Sequence, residues 1–273
     1  MIPKVMNFFW VGKKMSWLRY MTLYSFCKLN PGWEVNLYLN DFREYDNPWS
    51  DHHTQDFFMY KGPDYLDRVD SLPVKIQKMI LPFPVNPVCQ SDLFQWLLLG
   101  NDGGFYSDLD ILYIRPIDYA IWSQHSTVCC LAENEFTIGF LGACEGNQFF
   151  KDIAEEALQQ YNDREYQSAG INSVYGIIRN KCNRLHKSSL ISDISKAYPE
   201  LSVFNLPQET IYPWAWHNAP VKIFYENNKL SLNTVGVHWY AGAPISQEYN
   251  NLLNENTYRD LVCTYSSYAA EVI

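Results

Sequence analysis

The stretch from Ser91 to Asp110 leaves this chain few ways to fold. Cys89, Leu93, Trp96 and Leu97 share one helical face, Ser91 is placed to cap the helix, and Asn101-Asp102-Gly103-Gly104 is a strong turn signal that stops it. Phe105 to Arg115 then alternates as a strand that runs through Asp108-Leu109-Asp110 and ends at Arg115-Pro116. A helix that reverses over two glycines straight into a strand packs back on a sheet, which points to an α/β fold. Alternation along an extended chain directs Asp108 and Asp110 to the same side, about 7 Å apart. Two acids so placed can share a hard divalent cation and its water shell, although an isolated Asp-x-Asp is more commonly a pair of solvated acids at a strand end.

The rest of the sequence extends this pattern. Ile2 to Val11 reads as a buried first strand broken at Gly12-Lys13-Lys14, Trp17 to Leu29 as a helix stopped by Asn30-Pro31-Gly32, and Glu34 to Leu39 as a second strand. Residues 40–87 are rich in Asp, His, Tyr and Pro and read as an excursion beside the sheet, with short helices expected at Pro63 to Val69 and Val74 to Ile80. Strands are expected at Thr127 to Ala132, Ile138 to Ala143, Leu201 to Leu206, Val221 to Tyr225 and Thr234 to Tyr240. Helices are expected at Gln148 to Tyr161, Gly170 to Arg179 and Asn250 to Val262, the last within a helical tail over 241–273. With no repeat or linker, a single domain over residues 1–273 is the economical reading.

Composition removes several function classes. Lys and Arg number 21 against 30 Asp and Glu, and the net charge of -9 offers no long-range attraction to a polyanion, which argues against nucleic acid as a partner. The seven cysteines form no Cys-x-x-Cys pair and no zinc spacing, and they read as reduced, buried thiols. The longest apolar run, Leu93 to Leu99, is interrupted by Gln95 and is far short of a membrane span. The Met-Ile-Pro-Lys-Val start carries no signal peptide pattern, so a cytoplasmic protein is expected, with peripheral membrane contact left open. His52-His53 is a poor metal pair because adjacent side chains diverge. Glu133-Asn134-Glu135 reads as a polar loop between strands.

The Ser91 to Asp110 stretch resembles the sugar-binding region of the DXD glycosyltransferases, the group that includes initiating mannosyltransferases, α1,4-galactosyltransferases and, more distantly, the glucosylating clostridial toxins. Their pattern is an S-D-x-x-R helix followed by G-G-x-Y-x-D-x-D, and Ser91, Asp92, Gly103, Gly104, Tyr106, Asp108 and Asp110 match it. Ile2-Pro3-Lys4-Val5-Met6-Asn7-Phe8-Phe9-Trp10-Val11-Gly12 is similar to the amino-terminal I-P-K-x-I-H-x-x-W-x-G strand of that group. Ser25 with Asn30-Pro31 is similar to its first helix end, and Gly236-Val237-His238-Trp239-Tyr240 to its late histidine segment.

The resemblance implies a GT-A fold, a Rossmann-like mixed sheet flanked by helices with a small acceptor-side subregion, and a nucleotide-sugar donor, UDP-linked in preference to others. It implies that Asp108 and Asp110 hold Mn2+ or Mg2+, with Asp110 a direct ligand and Asp108 in contact directly or through water and also near the ribose; His238 would be a third metal ligand or a diphosphate contact, its alternative being a structural histidine at a strand end. Asp92 would bond hydroxyls of the donor sugar; its alternative role is helix capping in the first turn. Trp10, Val11 and Gly12 would hold the base, and Gly103, Gly104, Tyr106 and Gln95 would line the donor. Trp214, Trp216, Trp239 and Tyr240 would flank a hydroxyl acceptor such as a glycan. Retention of anomeric configuration follows by the same resemblance, with no side-chain base assigned.

Three departures stand out. Gln95 replaces the arginine, Asn7 replaces the amino-terminal histidine, and the motif after His238 is incomplete. Lys13, Lys14 and Arg115 are the cations that could restore charge near a diphosphate. A non-catalytic carbohydrate-binding protein and a nucleotide-sugar hydrolase compete with the transferase reading. A nucleotidyltransferase would need an early glycine-rich phosphate loop, which Trp10 to Lys14 is not.

Overall fold

The computed structural model describes residues 1–40, 60–79, 81, 86–162, 165–182 and 190–273. His52-His53 and most of the excursion lie outside them. In chain order the first elements are β1 (Val5–Trp10), α1 (Trp17–Leu29), β2 (Glu34–Asn40), β3 (Lys75–Met79), α2 (Pro87–Asn101), β4 (Gly104–Ser107) and β5 (Ile111–Tyr113). Then come α3 (Tyr119–Trp122), β6 (Thr127–Ala132), β7 (Glu135–Phe136), β8 (Phe140–Ala143), α4 (Gln148–Gln160), α5 (Ile171–Cys182), α6 (Leu190–Ala197) and β9 (Val203–Leu206). The chain finishes with α7 (Ala219–Phe224), β10 (Gly236–His238), α8 (Pro244–Leu252) and α9 (Thr264–Val272). None of the described helices is long and apolar enough to cross a membrane. The chain divides into two compact units, one of residues 1–9, 80–107 and 118–207, the other of residues 10–79, 108–117 and 208–273.

The first unit is built on a mixed sheet. β1 pairs parallel with β4, β4 antiparallel with β8, and β8 antiparallel with β6, which also pairs parallel with β9 and antiparallel with β7. Asn7 lies in this sheet and its side chain donates to Phe105 O at 3.1 Å, so the position reads as a strand tether. β6 and β7 form a hairpin whose turn residues Glu133 and Asn134 have φ of 52° and 65°, the geometry such a two-residue turn requires. Helix α2 packs on α4 closely enough that a Cβ on Gly100 would lie 2.9 Å from Lys151 N. Trp96 fills the layer beside them, its ring 6.0 Å from Phe150 and its indole N–H on Ala169 O at 2.7 Å.

The second unit holds the parallel pair β2 and β3 and the antiparallel pair β5 and β10. Its core is aromatic: Trp17, Phe224, Trp239, Tyr249, Tyr258 and Tyr265 are buried together. Helix α1 starts at Ser16, whose hydroxyl accepts the Arg19 N–H, and stops at Asn30, whose N–H and side-chain amide both bond Phe26 O.

Several expectations are corrected. The helix expected at Val74 to Ile80 is not formed: Lys75–Met79 is a strand, because a run this short gains more from pairing along β2 than from an isolated helical turn. Val221 to Tyr225 is not a strand but lies in α7, where Pro220 sits in the first turn and supplies a helix start. The expected helix at Asn250 to Val262 is instead the end of α8, a 3-10 turn at Tyr258–Asp260, and the start of a new helix at Thr264. Helix α2 begins four residues earlier than Ser91: Asn86 caps it through Cys89 N–H, with Pro87 next. Ser91 is therefore no cap and Asp92 is not in the first turn, which removes the capping role as an explanation of Asp92. The strand expected from Phe105 to Arg115 is interrupted: β4 ends at Ser107, and Asp108-Leu109-Asp110 forms a turn before β5.

Candidate functional site

Because Asp108 and Asp110 sit in a turn, the strand pleat does not align them; tertiary pairing does. β10 lies antiparallel on β5 with His238 opposite Ile111, which carries the imidazole beside the neighbouring Asp110. Backbone bonds fix both ends of the contact: Trp239 N–H donates to Asp110 O at 2.9 Å and His238 N–H to Ile211 O at 3.0 Å. From below, the Thr22 hydroxyl on α1 donates to Leu109 O at 3.0 Å, and Ser25 Oγ accepts the Tyr113 N–H. As a result one ligand atom from each of Asp108, Asp110 and His238 falls within 4.8 Å of the others.

The electrostatics of this cluster are those of a site organised around charge. Asp110 is 7% exposed, and its Oδ2 accepts the Ala241 N–H at 2.8 Å. His238 Nε2 stands 3.2 Å from Oδ1, at ion-pair distance, yet Oδ1 has no hydrogen-bond partner among the described residues. Burial pushes the Asp110 carboxyl up, but the charges of His238 and Arg19 and the Ala241 N–H outweigh it and hold the group down at about 2. For His238 burial acts to lower the pKa, and the facing carboxylates Asp110 and Asp108 overcome it and raise it.

A divalent cation fits this donor set: two hard carboxylates, one carrying a buried oxygen with no hydrogen-bond partner, and a borderline imidazole. Ligation through Nε2 would leave that nitrogen without a proton and place the imidazole N–H on Nδ1, ending its acceptance of the Tyr240 N–H at 3.3 Å. That contact depends on Tyr240 holding φ of 52°, a left-handed conformation uncommon for an aromatic residue.

The same unit contains Trp10, Val11 and Gly12. Trp10 is buried, with the Arg19 guanidinium 4.7 Å from its ring centre, and a Cβ on Gly12 would lie 2.3 Å from its Cζ2. A base can stack on Trp10 only where Arg19 and Gly12 leave a face of the ring. Trp239 is fully buried among Phe224, Arg19 and the aromatic core, so its side chain is a core element and not a wall for an acceptor. Tyr240 and Trp214 are half-buried and joined by the Tyr240 hydroxyl on Trp214 O at 3.3 Å, while Trp216 is 69% exposed.

The remaining sequence-derived residues belong to the first unit. Asp92 is buried with its Oδ2 turned to Gly170, where a Cβ would lie 2.6 Å away. Gln95 gives its amide to Ile138 O at 2.6 Å, and Tyr106 shares a hydrogen bond of 2.8 Å with Ser91. Gly103 and Gly104 have φ of 69° and 93°, and a Cβ on Gly103 would meet Ala143 O at 2.6 Å, so this turn requires glycine for its own backbone. Of the cations proposed to restore charge, Lys14 bonds Gly62 O and Arg115 bonds Ser231 O and Thr234 O. Arg19, which sequence reading passed over, is the one whose charge acts on Asp110 and His238.

No family model matches the sequence, and no curated protein matches it either. Among solved structures, the apo form of the glycosyltransferase GlyE of Streptococcus pneumoniae TIGR4 superposes with a TM-score of 0.51 at 10% identity over 99% of this chain. The fold is the GT-A fold. This chain spans 60% of the GlyE chain. The PaToxG glycosyltransferase aligns at a TM-score of 0.48 and 15% identity over 74% of this chain and 81% of its own. The galactosyltransferase LgtC, solved with donor and acceptor sugar analogues, aligns at 0.46 and 13% identity over 98% and 94%.

Proposed function

We propose that this protein is a metal-dependent, retaining glycosyltransferase that moves a sugar from a UDP-sugar to a hydroxyl acceptor, a glycan in preference to other classes. The observation that carries the reading is the convergence of Asp108, Asp110 and His238 in a GT-A fold, brought about by the β5 to β10 register and the turn between β4 and β5. Asp108 and Asp110 would hold Mn2+ or Mg2+, with His238 completing the set. A divalent cation there supplies positive charge against the departing diphosphate, where the transition state concentrates negative charge.

The chain itself would bind and orient. Trp10, Val11 and Gly12 border the base side, and Asp92 offers a buried carboxylate to sugar hydroxyls. Gly103, Gly104, Tyr106 and Gln95 support the strand and helix that carry the donor. The bond from the anomeric carbon to the phosphate oxygen breaks, the acceptor oxygen bonds that carbon on the same face, and the acceptor proton passes to the diphosphate. Orientation and exclusion of water account for the rate in such a step, without a side-chain nucleophile.

A non-catalytic sugar-binding protein is the second reading, favoured by Gln95, whose amide is committed to Ile138 O where the resembled group has an arginine. Turnover separates the two. UDP-sugars incubated with the protein and Mn2+ are expected to release UDP, at a rate at least about 100-fold lower in Asp110→Asn and in EDTA. No release from any UDP-sugar, alone or with glycan acceptors, would favour the binding protein.

A further inference from the structure

Arg19 occupies a position that helix physics disfavours. It is the third residue of α1, directly after the Ser16 cap, where the unpaired N–H groups of the first turn already carry positive charge and an acid is preferred. It is also 6% exposed, and no other Lys or Arg among the described residues is buried. A buried cation at a helix start needs a compensating environment. The protein supplies it from two directions. The guanidinium lies 4.7 Å from the Trp10 ring centre and 5.7 Å from that of Trp239, and the Trp239 backbone is bonded directly to Asp110. Aromatic faces stabilise a guanidinium without neutralising its charge.

We infer that Arg19 is a donor-binding residue that contacts the phosphate oxygens of the nucleotide, the task that Gln95 leaves open; this rests on the glycosyltransferase reading above. Two carboxylates and a divalent cation cancel in charge, so with neutral His238 the guanidinium leaves the cluster one net positive charge, suited to an anionic ligand. The same guanidinium balances Asp110 when nothing is bound, so it is in place before the donor arrives. A planar fork also matches phosphate oxygens in a way the Gln95 amide does not.

The test compares ligands that differ only in phosphate. Uridine and UDP are titrated in Mn2+ against wild type, Arg19→Met and Arg19→Lys, uridine by competition where its binding is weak. The expected result is a loss of UDP affinity of about tenfold or more in Arg19→Met, a smaller loss in Arg19→Lys, and uridine affinity unchanged within about twofold in both. An equal loss for uridine and UDP would overturn the inference, since Arg19 would then act only by holding Trp10 and Trp239, as would unchanged UDP affinity. Should Arg19→Met fail to fold, Arg19→Lys carries the same comparison. A wild type that binds neither ligand would sink the donor-site reading itself, and Mn2+-dependent UDP binding that ignores Arg19 would sink only this inference.

Discussion

Gly12 shows how narrowly the packing around Trp10 tolerates change at the level of one atom. The Trp10 indole lies where a Cβ at residue 12 would have to go, so Gly12→Ala must displace the ring and disturb its contact with Arg19. We expect a loss of UDP affinity of about fivefold or more and a stability cost of about 1–3 kcal/mol, the range for overpacking a buried position. Unchanged affinity by titration, with the folded state intact by circular dichroism, would remove Trp10 from the donor side. The same scale explains what the sequence revealed of the site. Asp108, Asp110 and His238 stand out because acids in an Asp-x-Asp pattern and a late histidine are recognisable types at recognisable spacing. Arg19 does not, because nothing in Ser-Trp-Leu-Arg-Tyr tells a buried arginine from a surface one; the only signal is a cation in a helix turn that favours acids.

Elements were legible where length and periodicity agreed. Helices α1 and α4 and strand β6 fall within a residue of expectation, each being capped or bounded by a strong breaker. Short runs were not, since Lys75–Met79 and Ala219–Phe224 carry no local information that separates strand from helix until a partner strand or a proline-led turn decides. An ion pair between elements gives a pH test at this scale. Asp152 on α4 accepts bonds from Lys181 on α5, from Tyr198 and from Gln148, and these overcome the opposing effect of burial and lower its pKa. A carboxylate with a depressed folded-state pKa adds stability above its unfolded value near 3.9, and that gain disappears as pH falls through the folded value. Asp152→Asn is therefore expected to cost about 1–2 kcal/mol at pH 7, modest because Lys181 is half exposed, and to cost progressively less as pH falls below 4. A stability difference by denaturant unfolding that stays constant down to pH 2.5 would contradict the pairing.

For the whole molecule, the residues proposed to carry chemistry fall in both compact units. The cluster of Asp108, Asp110 and His238, together with Arg19 and Trp10, lies in one; Asp92, Gln95, Tyr106 and the double-glycine turn lie in the other. A sequence motif that reads as one continuous stretch from Ser91 to Asp110 thus crosses a boundary between Ser107 and Asp108, which linear spacing does not reveal. The sheet order and the β5 to β10 register were equally hidden, because pairing depends on contacts more than a hundred residues apart in sequence, such as Ile111 with His238. The central claim is that this cluster binds a nucleotide through a metal, and calorimetric titration of UDP tests it most directly. Wild type in Mn2+ should bind UDP in preference to GDP, and both EDTA and Asp110→Asn should abolish the heat of binding; UDP binding of equal strength in EDTA, or in Asp110→Asn, would contradict the account.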